Sequence, residues 1–338
     1  MMTAERTFIH HHAAHCESGV MSSMLRHHGL ALSEPMVFGL AGALMFAYIP
    51  LLKMGGMPLI AYRGMPRAII RGVRGNLGVR MKMQTFSTPA RGTRALDDLL
   101  ARGLVAGVQT SVFWLPYFPE EMRFHFNAHN LIVYGREDGE YLISDPVFEQ
   151  PVRCPVAALE KARFVKGMMA PKGLLYYPES VPAELDYQRL IPGIIRKNAR
   201  AMLKTPVPVA GIRAIRRLAK HIGRLPAGDP RHARLFLGHI VRMQEEIGTG
   251  GAGFRFLYAS FLQEAGELID NDGLDEASRM LTLVGDQWRE FALLLVRAIR
   301  GKGAKVIDFS LLRGALENLA DREAEVYHLL LEICGRRQ

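Results

Sequence analysis

The chain has 338 residues, 49% of them hydrophobic and 22% charged, and 43 Lys and Arg against 33 Asp and Glu give a net charge of +10. At about 150 residues per domain this length predicts two domains, and the ordinary apolar and charged content excludes a wholly disordered chain or a coiled coil. The basic charge favours an acidic partner and says nothing about fold.

Three cysteines, Cys16, Cys154 and Cys334, lie far apart. That spacing excludes a disulfide framework and a zinc site of paired ligands, and a reducing cytoplasm is its simplest setting. The opening residues carry His10 to His12 and no continuous apolar core, so no secretory signal is predicted. Val20, Met21, Met24 and Leu25 recur at helical spacing after Cys16, and Gly29 is the expected stop. Ser33 before Glu34 and Pro35 marks the next helix start. Met36 to Leu52 is the most apolar run. Its 17 residues include two glycines and a proline, and it reads as a buried helix rather than a membrane span. Residues 53–93, rich in Gly, Arg and Met, predict short strands and loops. Thr93 to Arg102 reads as an amphipathic helix closed by Gly103, and Leu104 to Trp114 as a strand. Asn130–Tyr134 and Tyr141–Ser144 are strand-like, with Gly and Asp between them, which predicts a hairpin. Beyond Pro178–Pro182 the periodicity is helical near 187–204, 209–223, 231–247, 253–270, 274–299 and 308–334. The expected organisation is an α+β fold: a domain with an antiparallel sheet over 1–180, then an all-helical domain over 181–338.

The sharpest local pattern is His15-Cys16-Glu17-Ser18-Gly19. Cys16 falls at the start of a helix, where unpaired N–H groups and the helix dipole favour a thiolate. This is the nucleophile arrangement of papain-like enzymes; the competing reading is a buried structural cysteine. A cysteine nucleophile needs a base, usually His, and a third group to orient it. A three-residue loop, Arg136 to Asp138, would set His129 opposite Asp145 on one face of the hairpin. His125 and Asn127 are rivals for the same face if the strand extends that far. The Cys16 backbone N–H is one expected oxyanion donor. Papain-like enzymes commonly carry a Gln about six residues before the cysteine, where this chain has His10 as the candidate second donor. His10–His12 and His27-His28 are adjacent repeats without metal-ligand spacing, so no metal site is predicted.

These residues resemble the butirosin biosynthesis acyltransferase family. The resemblance runs through HCESG at 15–19, LRHHGLALSEPMVFGLAGALMFAY at 25–48, WLPY at 114–117 and HNLIVYG…YLISDP at 129–146. EIGTGGAGFRFLYASFLQEA at 246–265 extends it into the helical half. It implies a papain-like N-terminal domain and acyl transfer from an acyl carrier protein thioester to an amine, through a cysteine acyl-enzyme in secondary metabolism. Cys16 would be the nucleophile, His129 the base and Asp145 the orienting acid. No bound cofactor is implied; the donor would carry a phosphopantetheine arm. The acyl group and the acceptor amine do not follow, because fold and triad do not fix a substrate.

Gly250, Gly251 and Arg255 form a possible phosphate or pantetheine site, against the alternative of a plain interhelical turn with Arg255 on the surface. Between Arg189 and Arg234 there are 12 Lys or Arg and one acid, Asp229. That stretch is either a face for an acidic carrier or a solvated helix surface. It has no interleaved aromatics, which argues against nucleic acid. The rival functions are a peptidase or amidase using the same triad with water as acceptor, and a noncatalytic binding protein on the same fold.

Overall fold

The computed structural model describes residues 7–225, 229–300 and 307–335. In chain order the elements are α1 (Cys16–His27), α2 (Glu34–Leu40), β1 (Leu44–Met54), β2 (Met57–Arg63), α3 (Ala68–Asn76), β3 (Arg80–Gln84), α4 (Pro89–Leu100), β4 (Ala106–Thr110), β5 (His129–Glu137), β6 (Glu140–Ser144), β7 (Val152–Pro155), α5 (Val156–Phe164) and β8 (Leu175–Ser180). Helices α6 (Tyr187–Lys204), α7 (Gly211–Ile222), α8 (Pro230–Val241), α9 (Arg255–Ile269), α10 (Asp272–Arg300) and α11 (Phe309–Ile333) follow. The fold is α+β. Two compact units divide the chain: one takes residues up to Val37 and Pro66–Leu185, the other takes Phe38–Met65 and the chain from Asp186 onward.

The first unit is built on a six-stranded sheet in the order β3-β8-β4-β5-β6-β7, antiparallel at every pairing. Leu96 and Leu99 of α4, Leu159 and Ala162 of α5, and alternate residues of β4 to β6 (Ala106, Val108, Leu131, Val133, Tyr141, Ile143) form its buried core. That alternation is the period of a half-covered strand.

The β5–β6 hairpin differs from the expected one. Its loop is two residues, Asp138-Gly139, with φ of 48° and 80°. Both lie in the left-handed region that a type I′ turn needs, and Asp-Gly is a favoured pair for it. Glu137 therefore pairs with Glu140, and a bulge between Val133 and Gly135 shifts the register so that Ile132 pairs with Ser144. The next step puts Asp145 opposite Leu131. It lies diagonal to His129 on the same face, not directly across from it.

The run Met36–Leu52 also departs from expectation. It is the body of α2 followed by most of β1, because Gly42, at φ 65°, ends the helix and turns the chain. Strand β1 returns as β2 through Gly55-Gly56, again two left-handed residues. This hairpin belongs to the second unit, which is therefore not all-helical. There Phe46 and Tyr62 pack on Trp288 of α10, ring centroids 5.8 and 5.4 Å away. The helices of this unit match their periodicity. In α7, Ile212, Ile215, Leu218, Ala219 and Ile222 are buried, while Arg213, Arg216 and Lys220 are exposed. Asp186, Asp229 and Asp308 cap α6, α8 and α11 by accepting backbone N–H bonds. No helix among the described residues is long and apolar enough to cross a membrane.

Candidate active site

Cys16 is the first residue of α1, 6% exposed, and the preceding His15 is extended and caps the helix by accepting from the Ser18 N–H. The approach to the cysteine is clamped by Glu34 at the start of α2. Its carboxylate accepts the Ala14 N–H at 2.8 Å, the His15 N–H at 2.9 Å and the Ser18 hydroxyl at 2.8 Å. Burial pushes the Glu34 carboxyl up from the usual range, and these hydrogen bonds oppose the shift. On the other side Glu17, fully buried, accepts from the backbone N–H groups of Arg67, Ile69 and Ile70 at 3.2, 2.9 and 3.3 Å. It thereby serves the orphan donors at the start of α3.

His129 opens β5 and is 4% exposed. Its Nε2 lies 2.6 Å from Asp145 Oδ2, and its ring is within hydrogen-bonding reach of Cys16. Burial disfavours an imidazolium here. The Asp145 carboxylate and the Cys16 sulfur outweigh it and push the His129 pKa up to about 10. Asp145 is fully buried; its Oδ2 also accepts the Tyr117 hydroxyl at 2.8 Å, and its Oδ1 accepts the Val147 N–H at 3.3 Å. The ring of Phe118 stands edge-on to His129 at 5.4 Å, and Phe148 packs on both Tyr117 and Phe118. The geometry thus joins a helix-start thiol, an imidazole and a carboxylate in a water-poor setting.

Gly19 lets these parts meet. A Cβ there would lie 2.5 Å from Ala13 Cβ and 2.8 Å from Pro146 Cβ. The Ala13 N–H also donates to the Pro146 carbonyl at 2.7 Å. The glycine of HCESG is the space through which the strap before Cys16 and the turn after Asp145 reach α1. Behind the cysteine, the Tyr176 hydroxyl donates to Asn130 Oδ1 at 3.0 Å, and a Cβ on Gly107 would strike the Tyr176 ring at 2.4 Å.

The other expected residues fall elsewhere. His10 does not present a ring N–H to an oxyanion: Nδ1 is 2.7 Å from Ser144 Oγ and Nε2 is 3.0 Å from the Phe148 carbonyl. Both nitrogens brace the segment that carries Asp145. His125 and Asn127 precede β5, so strand alternation does not set them beside His129. His125 stacks on Phe113 at 4.0 Å, and Asn127 donates to the Met168 carbonyl at 2.9 Å. In the second unit, Arg255 is fully buried rather than on the surface. Its guanidinium donates to Glu323 at 2.7 Å and to the Gly253 carbonyl at 2.7 Å. The Gly-rich loop does hold an anion, but it is the chain's own. Glu245 accepts the Ala252 N–H at 3.2 Å, while the Gly251 N–H goes to Thr249 Oγ1 at 3.1 Å. Those amides and that guanidinium serve the core of the helical unit and are not offered to a phosphate. Among the described residues no group of three His, Cys, Asp or Glu is arranged to hold a metal ion.

Tyr117 is the site residue that sequence reasoning passed over. Its only signal was membership of the WLPY segment. A tyrosine that reaches a carboxylate 28 positions away has no local signature.

Two family models match the chain. Residues 15–146 match the model described as Butirosin biosynthesis protein H, N-terminal, and residues 157–330 match a domain of unknown function, DUF4872. No curated protein matches. Among solved structures, a Bacillus anthracis chain described as a C39-like peptidase aligns at 13% identity and a TM-score of 0.35, over 52% of this chain and 96% of that one. That likeness is too distant to bear on fold or function.

Proposed function

The chain belongs to the family of the DUF4872 domain, joined here to a butirosin biosynthesis protein H N-terminal region, and from that premise we propose that it is a papain-like cysteine acyltransferase. The observation that carries this reading is the contact of Cys16, at a helix start, with a His129 that is itself bonded to Asp145. In the proposed reaction His129 enters as the imidazolium, paired with the Cys16 sulfur, and the sulfur attacks the carbonyl of an acyl thioester. The tetrahedral oxyanion gathers at the start of α1, where the Cys16 N–H is a donor. Collapse expels the donor thiol, which takes the proton from His129, and leaves an acyl-cysteine. An amine then attacks this second thioester, His129 takes its proton, and the pair of imidazolium and Cys16 sulfur is restored as the amide departs.

Thioester and amine fit this site because a buried setting disfavours water in the second step. The donor would be an acyl group on the phosphopantetheine arm of an acyl carrier protein, as the family resemblance implies. Arg213, Arg216 and Lys220 of α7 are exposed and suit an acidic protein.

The test is intact mass after incubation with acyl carrier and small acyl thioester donors. The wild type gains one acyl mass and Cys16→Ala gains none. His129→Ala is expected to slow adduct formation by at least about 100-fold, the usual weight of a general base. Added amines that raise donor turnover and yield amide mark a transferase. Turnover that ignores amines marks a hydrolase. No adduct and no donor loss over a broad panel, with Cys16 resistant to alkylation, would leave the noncatalytic binding protein.

A further inference from the structure

We propose that Tyr117 is a positioning residue that acts through Asp145, taking a share of the carboxylate so that His129 can give back the proton it accepts. The proposal rests on the reading of His129 as the base. Two donors meet on one oxygen: His129 Nε2 at 2.6 Å and the Tyr117 hydroxyl at 2.8 Å, both to Asp145 Oδ2. Among the described residues the other oxygen has the long bond from Val147 N–H at 3.3 Å alone. Tyr117 cannot exchange its role, because burial and the neighbouring carboxylate hold its hydroxyl protonated well above the ordinary phenol range. It is a fixed donor.

A fixed donor to Asp145 does not treat the two states of His129 alike. Its bond is strongest when the carboxylate carries its full charge, which is when His129 is neutral. It weakens when an imidazolium draws on the same oxygen. Tyr117 therefore favours the neutral imidazole relative to the imidazolium. Acyl transfer needs this balance, since the proton held on His129 must leave with the departing thiol. An imidazolium held too tightly is a poor acid. The groups that face the pair are few. Cys16 approaches His129 from α1, Tyr117 approaches Asp145 from the loop after β4, and Cys154 of β7 lies near Tyr117.

The test follows the His129 ring by NMR in 15N-histidine-labelled full-length protein, without substrate. Tyr117→Phe keeps the ring contacts with Phe118 and Phe148 and removes only the hydroxyl. Its His129 midpoint is expected to rise by about half a pH unit or more. A 3-fluorotyrosine at position 117, a stronger donor, is expected to lower it. A purely structural hydroxyl would let Asp145 drift and lower the midpoint in Tyr117→Phe. An unchanged or lowered midpoint in that variant overturns the proposal. If Tyr117→Phe does not fold, the fluorinated protein decides alone: a lowered midpoint supports the proposal and an unmoved one overturns it. The readout needs no acyl donor, so a failure here stands apart from a failure to form the acyl-enzyme.

Discussion

Asp145 stabilises a charge on His129 that the unfolded chain gives up at a lower pH, and stability must then depend on pH. The imidazolium has its pKa raised from an ordinary 6.5 to about 10 in the folded protein. A group whose pKa is raised by folding contributes stability that is complete below its unfolded value and is lost as pH climbs to the folded one. Urea denaturation of the wild type is therefore expected to show stability falling between about pH 6.5 and about 10. In His129→Gln that part of the decline should flatten, and an equal slope in both proteins would refute the linkage. Cys16, His129 and Asp145 were legible because each belongs to a local signal: a helix start, a strand start, an Asp-Pro turn. Arg255 fits neither the anion site nor the surface turn that the sequence offers, for the opposite reason. A Gly-rich run beside an arginine looks like an anion site, but the arginine's own anion, Glu323, lies 68 positions away. Nothing local announces such a partner.

Among elements, the β5–β6 hairpin shows how a right juxtaposition can follow from a wrong register. Apolar alternation in Asn130–Tyr134 and Tyr141–Ser144 is the same for a three-residue loop and for a two-residue loop followed by a bulge. Only the backbone of Asp138-Gly139 separates them. His129 and Asp145 still meet because diagonal neighbours on one face remain within reach of each other's side chains. The turn can be tested directly. Gly139 sits at φ 80° with open space where a Cβ would stand, so substitution there costs backbone strain alone. Gly139→Val is expected to lose about 1–3 kcal/mol in urea denaturation. Asp138→Asn, which tolerates a positive φ equally well, should change stability little. Helices α6 to α11 were legible to within about two residues, except that the period over 231–247 runs past the end of α8 at Val241, because a long 3.6-residue period is the strongest signal a sequence carries. The run Met36–Leu52 was not. Uniform apolarity carries no period, and Gly42 gave the only hint of a break.

For the whole molecule, the helical unit is organised around a buried polar knot. Glu323 accepts Arg255 at 2.7 Å and Tyr327 at 3.1 Å through Oε1, and the Trp288 indole N–H at 2.8 Å through Oε2. The Arg255 guanidinium lies 4.9 Å from the Trp288 ring centroid. This one carboxylate ties α9, α10 and α11 together. Glu323→Ala leaves a buried cation and two donors unserved, and is expected to cost about 3–5 kcal/mol. Replacing the pair together, as Arg255→Met with Glu323→Leu, should cost markedly less. Urea titration of the three proteins, followed by tryptophan fluorescence, gives the comparison.

The route of the chain between the two units has a further consequence, for the order of synthesis. The polypeptide passes from one unit to the other at residues 37/38, 65/66 and 185/186. On the ribosome the β1–β2 hairpin emerges before any of the helices that cover it. A two-stranded hairpin is at best marginal alone, and this one carries Phe46, Tyr48 and Tyr62, whose places are all buried in the finished fold. The first unit can close once residue 185 has appeared. The hairpin must wait for Trp288. Until then the nascent chain holds out an aromatic strand pair with unpaired edges, the kind of exposed surface that favours misassembly before the helices arrive.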